Sequence, residues 1–287
     1  MTFLILAIVS STLNHLLFKA FARSRINLLC AIVTNFAVCV VIGYSSSFES
    51  IFQGSIFTQA WYPISILHGG LFTLCFFLIG RTTEKQGVAV ASLATRLSVA
   101  IPAAAAFFLF NDSITISKIS GILVALLALY LSSVNHKGSE HPLKAGSMLP
   151  IILFAAFGFH SALIKFVQER FLGSTSYHEY VMSAFLSALV ISGSVLTWRL
   201  IKKKQGCRWP DLLSGAVLGV SNYGSVYFLI KALGVPGWQS SQLFPTLSIA
   251  VVGLSSFGAW AFFKERLHRR ILTALAIGVI SIILINL

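Results

Sequence analysis

The stretch Ala91–Phe110, "ASLATRLSVAIPAAAAFFLF", carries a single charge, Arg96. A guanidinium can hold a carboxylate or phosphate through two parallel hydrogen bonds. In an apolar run its position is costly, roughly 2.5–3.5 kcal/mol on insertion scales. Such a residue either faces a cavity or partner, or snorkels and caps backbone carbonyls where Pro102 loosens the helix. Counted from Val88 at 1.5 Å per residue, Arg96 lies about 12 Å deep. That is near the centre of a hydrocarbon core about 30 Å thick.

Other polar residues extend the pattern. Ser92 lies four residues before Arg96, on the same helical face. Gln242 and Thr246 repeat the spacing near the C-terminus, with Gln239 just before them and Pro245 between. Tyr223 and Tyr227 are also four apart, beside Asn222; the ring pair suits packing or a ligand cage, and a buried amide needs partners. Asn14, His15, His68 and His160 complete the candidate substrate-binding set. A histidine can relay protons near neutral pH, or fill a packing position. Lys19 and Lys165 read as snorkelling side chains near helix ends.

The acidic residues Glu49, Glu84, Asp112, Glu140, Glu169, Glu179, Asp211 and Glu265 all fall in links or at helix ends. A cavity holding Arg96 and histidines without a carboxylate favours anionic or zwitterionic solutes. No GxSxG, HExxH or Walker loop occurs. No metal site, cofactor or catalytic set is therefore expected, and a lipid-modifying enzyme within the membrane is the alternative class. Cys30, Cys39 and Cys75 lie in apolar runs, where a thiol acts as a small hydrophobe. With Cys207 they form no metal-ligand spacing.

These residues need a membrane scaffold. Hydrophobic residues make up 56% of the 287 and charged residues 10%, and the mean hydropathy is +0.87. A soluble domain would carry about 25% charged residues. Ten apolar runs can be marked: Phe3–Phe18, Leu28–Gly43, Pro63–Ile79, Val88–Phe110, Ile119–Val134, Met148–Ile164, Tyr180–Leu200, Leu212–Ile230, Leu243–Phe263 and Ile271–Leu287. A span needs about 20 apolar residues, and flanking Lys, Arg and Tyr extend the shorter ones. The first run reads as a retained helix, since no basic residues precede it and no small-residue cleavage site follows. Small-residue pairs, Gly215/Gly219, Gly121/Ala125 and Ala274/Gly278, allow close helix approach, within one chain or between two, so monomer and homodimer both stay open.

The formal net charge of +13 is distributed as a topology signal rather than a nucleic-acid surface. Lys19, Arg23 and Arg25; Arg81 and Lys85; Lys137 and Lys144; Arg199, Lys202, Lys203, Lys204 and Arg208; and Lys264, Arg266, Arg269 and Arg270 fill alternate links. The opposite links hold only Lys118, Lys165, Arg170 and Lys231. Basic links stay in the cytoplasm, so a multi-pass protein of the inner (plasma) membrane with both termini outside is expected.

The chain also repeats. "NHLLFK" at Asn14 pairs with "HSALIK" at His160, "FFLI" at Phe76 with "YFLI" at Tyr227, "RLSVA" at Arg96 with "TLSIA" at Thr246, and "FND" at Phe110 with "FKE" at Phe263, at offsets of 146, 151, 150 and 153. Ordered matches at a near-constant offset indicate duplication. The expected fold is an all-α membrane protein of ten transmembrane helices in two five-helix repeats, residues 1–137 and 138–287, forming one integral domain. Because five is odd, the second repeat is inverted, an arrangement that secondary transporters use.

In these residues the chain resembles the drug/metabolite transporter superfamily, in its ten-helix EamA-type branch. Asn14–Lys19 matches the element ending the family's first helix, and "NDSIT" and "KERLH" match its acidic links after helices four and nine. Asn111–Asp112 stands where the family shows Gly–Glu, and the C-terminus lacks the basic tail of many relatives. The resemblance implies alternating-access export of a small polar metabolite such as an amino acid or organic anion, with a sugar-type or drug-like solute as the alternative cargo. It names no coupling ion.

For the topology, a cysteine added at the C-terminus should react with an impermeant maleimide in intact cells. Labelling only after permeabilisation would reverse the orientation.

Overall fold

A computed structural model describes residues 1–24, 26–46, 48, 55–86, 88–109, 115–133, 148–172, 176–203, 206–237, 239–264 and 269–287. The described residues form α-helices and one 3-10 turn, Ser55–Thr58. The helices are α1 (Thr2–Arg23), α2 (Leu28–Ser46), α3 (Tyr62–Gln86), α4 (Val88–Leu97), α5 (Ala100–Leu109), α6 (Ile116–Ser133), α7 (Leu149–Arg170), α8 (Tyr177–Lys203), α9 (Trp209–Leu233), α10 (Ser240–Phe263) and α11 (Arg269–Asn286). Seven of them contain segments long and apolar enough to cross a bilayer: Thr2–Phe21, Leu28–Ser46, Tyr62–Ile79, Leu149–Arg170, Tyr177–Lys202, Trp209–Leu233 and Ser240–Phe263. Shorter apolar helices cover Ala94–Leu109, Ile116–Leu131 and Leu272–Asn286. Val9, Val41, Leu123, Val220 and Ile283 are exposed. Such apolar surface is a liability in water and ordinary against lipid. The protein is a multi-pass helical membrane protein.

The helices start and stop for local reasons. Pro63, Pro150 and Pro210 occupy first turns, where a missing N–H costs nothing. Lys264, with φ 54°, closes α10 in the left-handed region. Most helices overrun the apolar runs by a turn because their flanks are Lys, Arg, Tyr and Trp, which tolerate the interface.

One expected helix is broken. Val88–Phe110 reads as a single span, but the chain turns at Ser98–Val99 between α4 and α5. Pro102 supplies no N–H for the Ser98 carbonyl. The Ile101 N–H donates to that carbonyl instead, at 3.0 Å, one residue short of helical register. The Ser98 hydroxyl takes the Thr95 carbonyl at 2.6 Å.

The chain forms two compact units that both draw on each half of the sequence. The first contains Met1–Thr73 and Phe166–Gly234, and the second Leu74–Lys165 and Val235–Leu287. The boundary expected between residues 137 and 138 lies outside the described residues. In the first unit α9 packs on both α1 and α2, and α2 also packs on α8. Gly215 and Gly219 explain the α2–α9 contact. A Cβ on Gly219 would stand 2.8 Å from the Asn35 carbonyl oxygen and 2.7 Å from Val38 Cβ. The small-residue pair thus serves packing within one chain. In the second unit α6 packs along α11, and α10 contacts α5, α6 and α11. Gly121 lies against Ile285, and Gly278 against Ile249.

Gly219→Val should destabilise the protein by about 1–3 kcal/mol, the usual cost of overpacking. A lower thermal midpoint in detergent, with unchanged behaviour for Gly193→Ala, where nothing stands within 4 Å, is the check.

Candidate functional site

The first unit encloses a polar and aromatic cluster. Asn14 on α1 reaches α9: its amide nitrogen donates to Ser225 Oγ at 3.2 Å, and its amide oxygen accepts from the Ser221 hydroxyl. Ser221 and Ser225 are one turn apart, so one amide bridges two turns. On the neighbouring face, buried Asn222 donates from Nδ2 to Asn35 Oδ1 on α2 at 3.2 Å. The Cys39 thiol donates to the Gly219 carbonyl at 3.2 Å. Asn35 is fully buried, and its own Nδ2 has no hydrogen-bond partner. That open donor can take a solute or water oxygen.

Aromatic rings continue the cluster. The Tyr223 hydroxyl lies 2.7 Å from His178 Nδ1. The His178 ring sits 4.1 Å from that of Tyr227, and the two tyrosine rings stack at 5.9 Å. The Lys231 ammonium lies 4.8 Å from the centre of the Tyr227 ring and 5.1 Å from that of Phe3. Both are cation–π distances. The tyrosine pair therefore acts as a hydrogen-bonding partner and a cation shelf as well as packing.

His68 has a packing role. It is fully buried, lies 2.6 Å from the Tyr180 hydroxyl through Nδ1, and stacks on Phe72 at 4.9 Å. His15, next to Asn14, is exposed.

The remaining candidates belong to the second unit. Arg96 is half-buried in the last turn of α4, immediately before the break. A cation there meets the negative end of the helix dipole. Ser92 lies on the same helix, with its side chain outside the described residues. His160 on α7 is half-buried, with its ring edge-on to Phe157 at 6.4 Å. Gln239 accepts a close hydrogen bond from the Lys118 ammonium, and its backbone N–H donates to Gln242 Oε1 at 3.2 Å. Gln242 Nε2 donates to the Ile285 carbonyl at 3.1 Å. Both ends of that amide therefore hold α10 in place. Thr246, one turn on, keeps a buried hydroxyl without a hydrogen-bond partner.

Two readings change. Lys165, expected to snorkel near a helix end, is buried. The helix runs on to Arg170, so Lys165 sits more than a turn inside it. Cys30, expected to be a free hydrophobe, is bonded to Cys207. The partner is 177 residues away, and nothing in a spacing pattern reveals it. Cys39 and Cys75 are buried free thiols. The links Asn111–Ile114 and Glu265–His268 lie outside the described residues. No group of three or more His, Cys, Asp or Glu side chains able to hold a metal occurs among the described residues.

No family profile matches the chain. It is similar to an uncharacterised protein of Haemophilus influenzae, 24% identical over 273 residues that span 93% of this chain and 91% of that protein. A solved crystal structure superposes with a TM-score of 0.74 at 15% identity, over 99% of this chain and 94% of its own. That similarity shows a shared fold.

Asn14→Ala should cost about 1 kcal/mol, because it removes the α1–α9 hydrogen bond of each serine and leaves them only their own helix carbonyls. Combined with Ser221→Ala and Ser225→Ala, the losses should fall short of additive in a thermal-denaturation cycle. Full additivity would mean that the three side chains do not act together.

Proposed function

We propose that this chain is a secondary transporter of the drug/metabolite type with EamA-like architecture. In this reading ten spans form two inverted five-helix repeats, and a small anionic or zwitterionic metabolite moves by alternating access. Export follows from the resemblance, and the plasma-membrane location with both termini outside from the Lys and Arg that fill alternate links.

The break between α4 and α5, with Arg96 beside it, is the observation that carries this reading. Transport sites are commonly built on discontinuous helices inside the membrane, where half-helix N-termini face anionic groups. Here an arginine ends one half-helix, and the other starts four residues later at Ala100. The helix N-terminus contributes roughly half a positive charge. The Ile101 and Ala103 N–H groups are spent on the Ser98 and Val99 carbonyls, so an anion at the break would meet the guanidinium and the field of this helix start rather than those amides. The matching place in the second half has Thr246 after Pro245 inside α10, with a hydroxyl awaiting a partner.

Arg96→Gln should abolish uptake of carboxylate or phosphate solutes in a proteoliposome panel while leaving the protein folded. Arg96→Lys, which keeps the charge but loses the planar fork, should transport with a raised KM. Normal transport by Arg96→Gln would remove the anion site. No transport of any solute by the wild type, with activity on lipids instead, would overturn the class.

A further inference from the structure

Cys30 and Cys207 join the first turn of α2 to the link before α9. The same joint is closed a second time without sulfur. The fully buried Asp211 carboxylate accepts the Asn27 N–H at 2.9 Å through Oδ1 and the Arg208 N–H at 2.9 Å through Oδ2. The Arg208 guanidinium adds bonds of 3.3 Å and 3.0 Å to that carboxylate. Asn27 stands just before α2, and Arg208 just before α9. Beneath them Phe21, Ala31 and Leu218 form an apolar cluster. The Asn27–Asp211 bond and this apolar contact tie the two segments independently of sulfur, which is what a reversible bond requires.

Charge locates the joint. It lies where α1 and α8 end and α2 and α9 begin, in the links holding Lys19, Arg23, Arg25, Arg199 and Lys202–Arg208. In the topology proposed above, on which this inference rests, such links face the cytoplasm, where thiols are kept reduced. Cys30 is 1% exposed, whereas Cys207 is only half-buried. A reagent therefore reaches Cys207 first. The basic link also concentrates anionic disulfides such as oxidised glutathione.

We propose that Cys30 and Cys207 form a reversible thiol–disulfide pair, open in the reducing cytoplasm and closed by exchange with a small-molecule disulfide. The Cys207 thiolate attacks one sulfur of that disulfide. A mixed disulfide forms and one small thiolate leaves, taking up the Cys207 proton. Cys30 then attacks the Cys207 sulfur as a thiolate and expels the second small thiolate, which takes up the Cys30 proton. Two protein thiols are oxidised, and one disulfide is reduced to two thiols. Closure adds a covalent tie between α2 and the α8–α9 link to the carboxylate clip, limiting how far this end of the unit can open.

The test counts thiols by maleimide–polyethylene glycol gel shift on the full-length protein, denatured after acid quenching. The chain has four cysteines. Resting cells should show all of them labelled. Membrane vesicles permeable to small solutes and incubated with oxidised glutathione should show two fewer labels, and reduced glutathione should restore them. Cys207→Ser should remove the response. Two labels missing in both conditions would make the bridge a permanent staple facing an oxidising compartment. Complete labelling in both would mean that no bridge forms. Either result overturns the proposal, and neither depends on whether the protein transports a solute.

Discussion

The first unit depends on α9 lying backbone-to-backbone against α2. Gly215 and Gly219 make that approach sterically allowed, because any Cβ would enter the Ala31–Val38 surface of the facing helix. Apolar burial drives little helix association inside a bilayer, since lipid tails are as apolar as the side chains. Close packing and hydrogen bonds must supply the adhesion. The glycines deliver both. They place Asn222 within reach of Asn35, and the Cys39 thiol against the Gly219 carbonyl. A bulkier pair would part the helices and leave these groups unmatched in a medium that cannot solvate them.

The same logic separates the histidines. His68 spends its Nδ1 on Tyr180 and its ring face on Phe72. It is a satisfied core residue. His178 also spends Nδ1, on Tyr223, but it lies in the first turn of α8 with its ring tilted against Tyr227, whose ring carries Lys231 as well. One tyrosine thus holds an imidazole and an ammonium close to it. The cluster is ring-lined and holds both charges, Lys231 and Glu179, at the end of α9, whereas the amide cluster of Asn14, Asn35 and Asn222 is neutral and lies nearer the middle of that helix.

Much of this was legible in the sequence. The apolar runs anticipated the helices because lipid exposure makes hydropathy the dominant signal. Boundaries moved by about a turn where amphipathic flanks let helices continue. Asn14, Asn222 and Tyr223 could be singled out because a polar group in an apolar run is conspicuous. Asn35 and His178 were just as polar and were missed. The first lies in a run where one amide reads as tolerated, and the second at a helix start where polarity is ordinary. Ser221 and Ser225 carried a usable signal, since their four-residue spacing aligns them on one face. The break at Ser98 was half-visible. Pro102 marks a weakened helix, but the turn forms four residues earlier, at the carbonyl that proline fails to bond.

Pairing between distant residues was the unreadable part, and the joint at Asp211 shows why. On sequence alone Asp211 is an unremarkable acid in a helix's first turn, where it complements the dipole, and Cys207 is a cysteine in a basic link. Their meaning comes from Asn27 and Cys30, which only the packing of α2 on α9 brings near. A fully buried carboxylate is tolerable here because it accepts two backbone N–H groups and a guanidinium, compensation that buried charge requires. The Asn27–Asp211 hydrogen bond and the Cys30–Cys207 bond tie the same two segments, the start of α2 and the start of α9, so each residue of the joint takes its role from a partner that is remote in sequence.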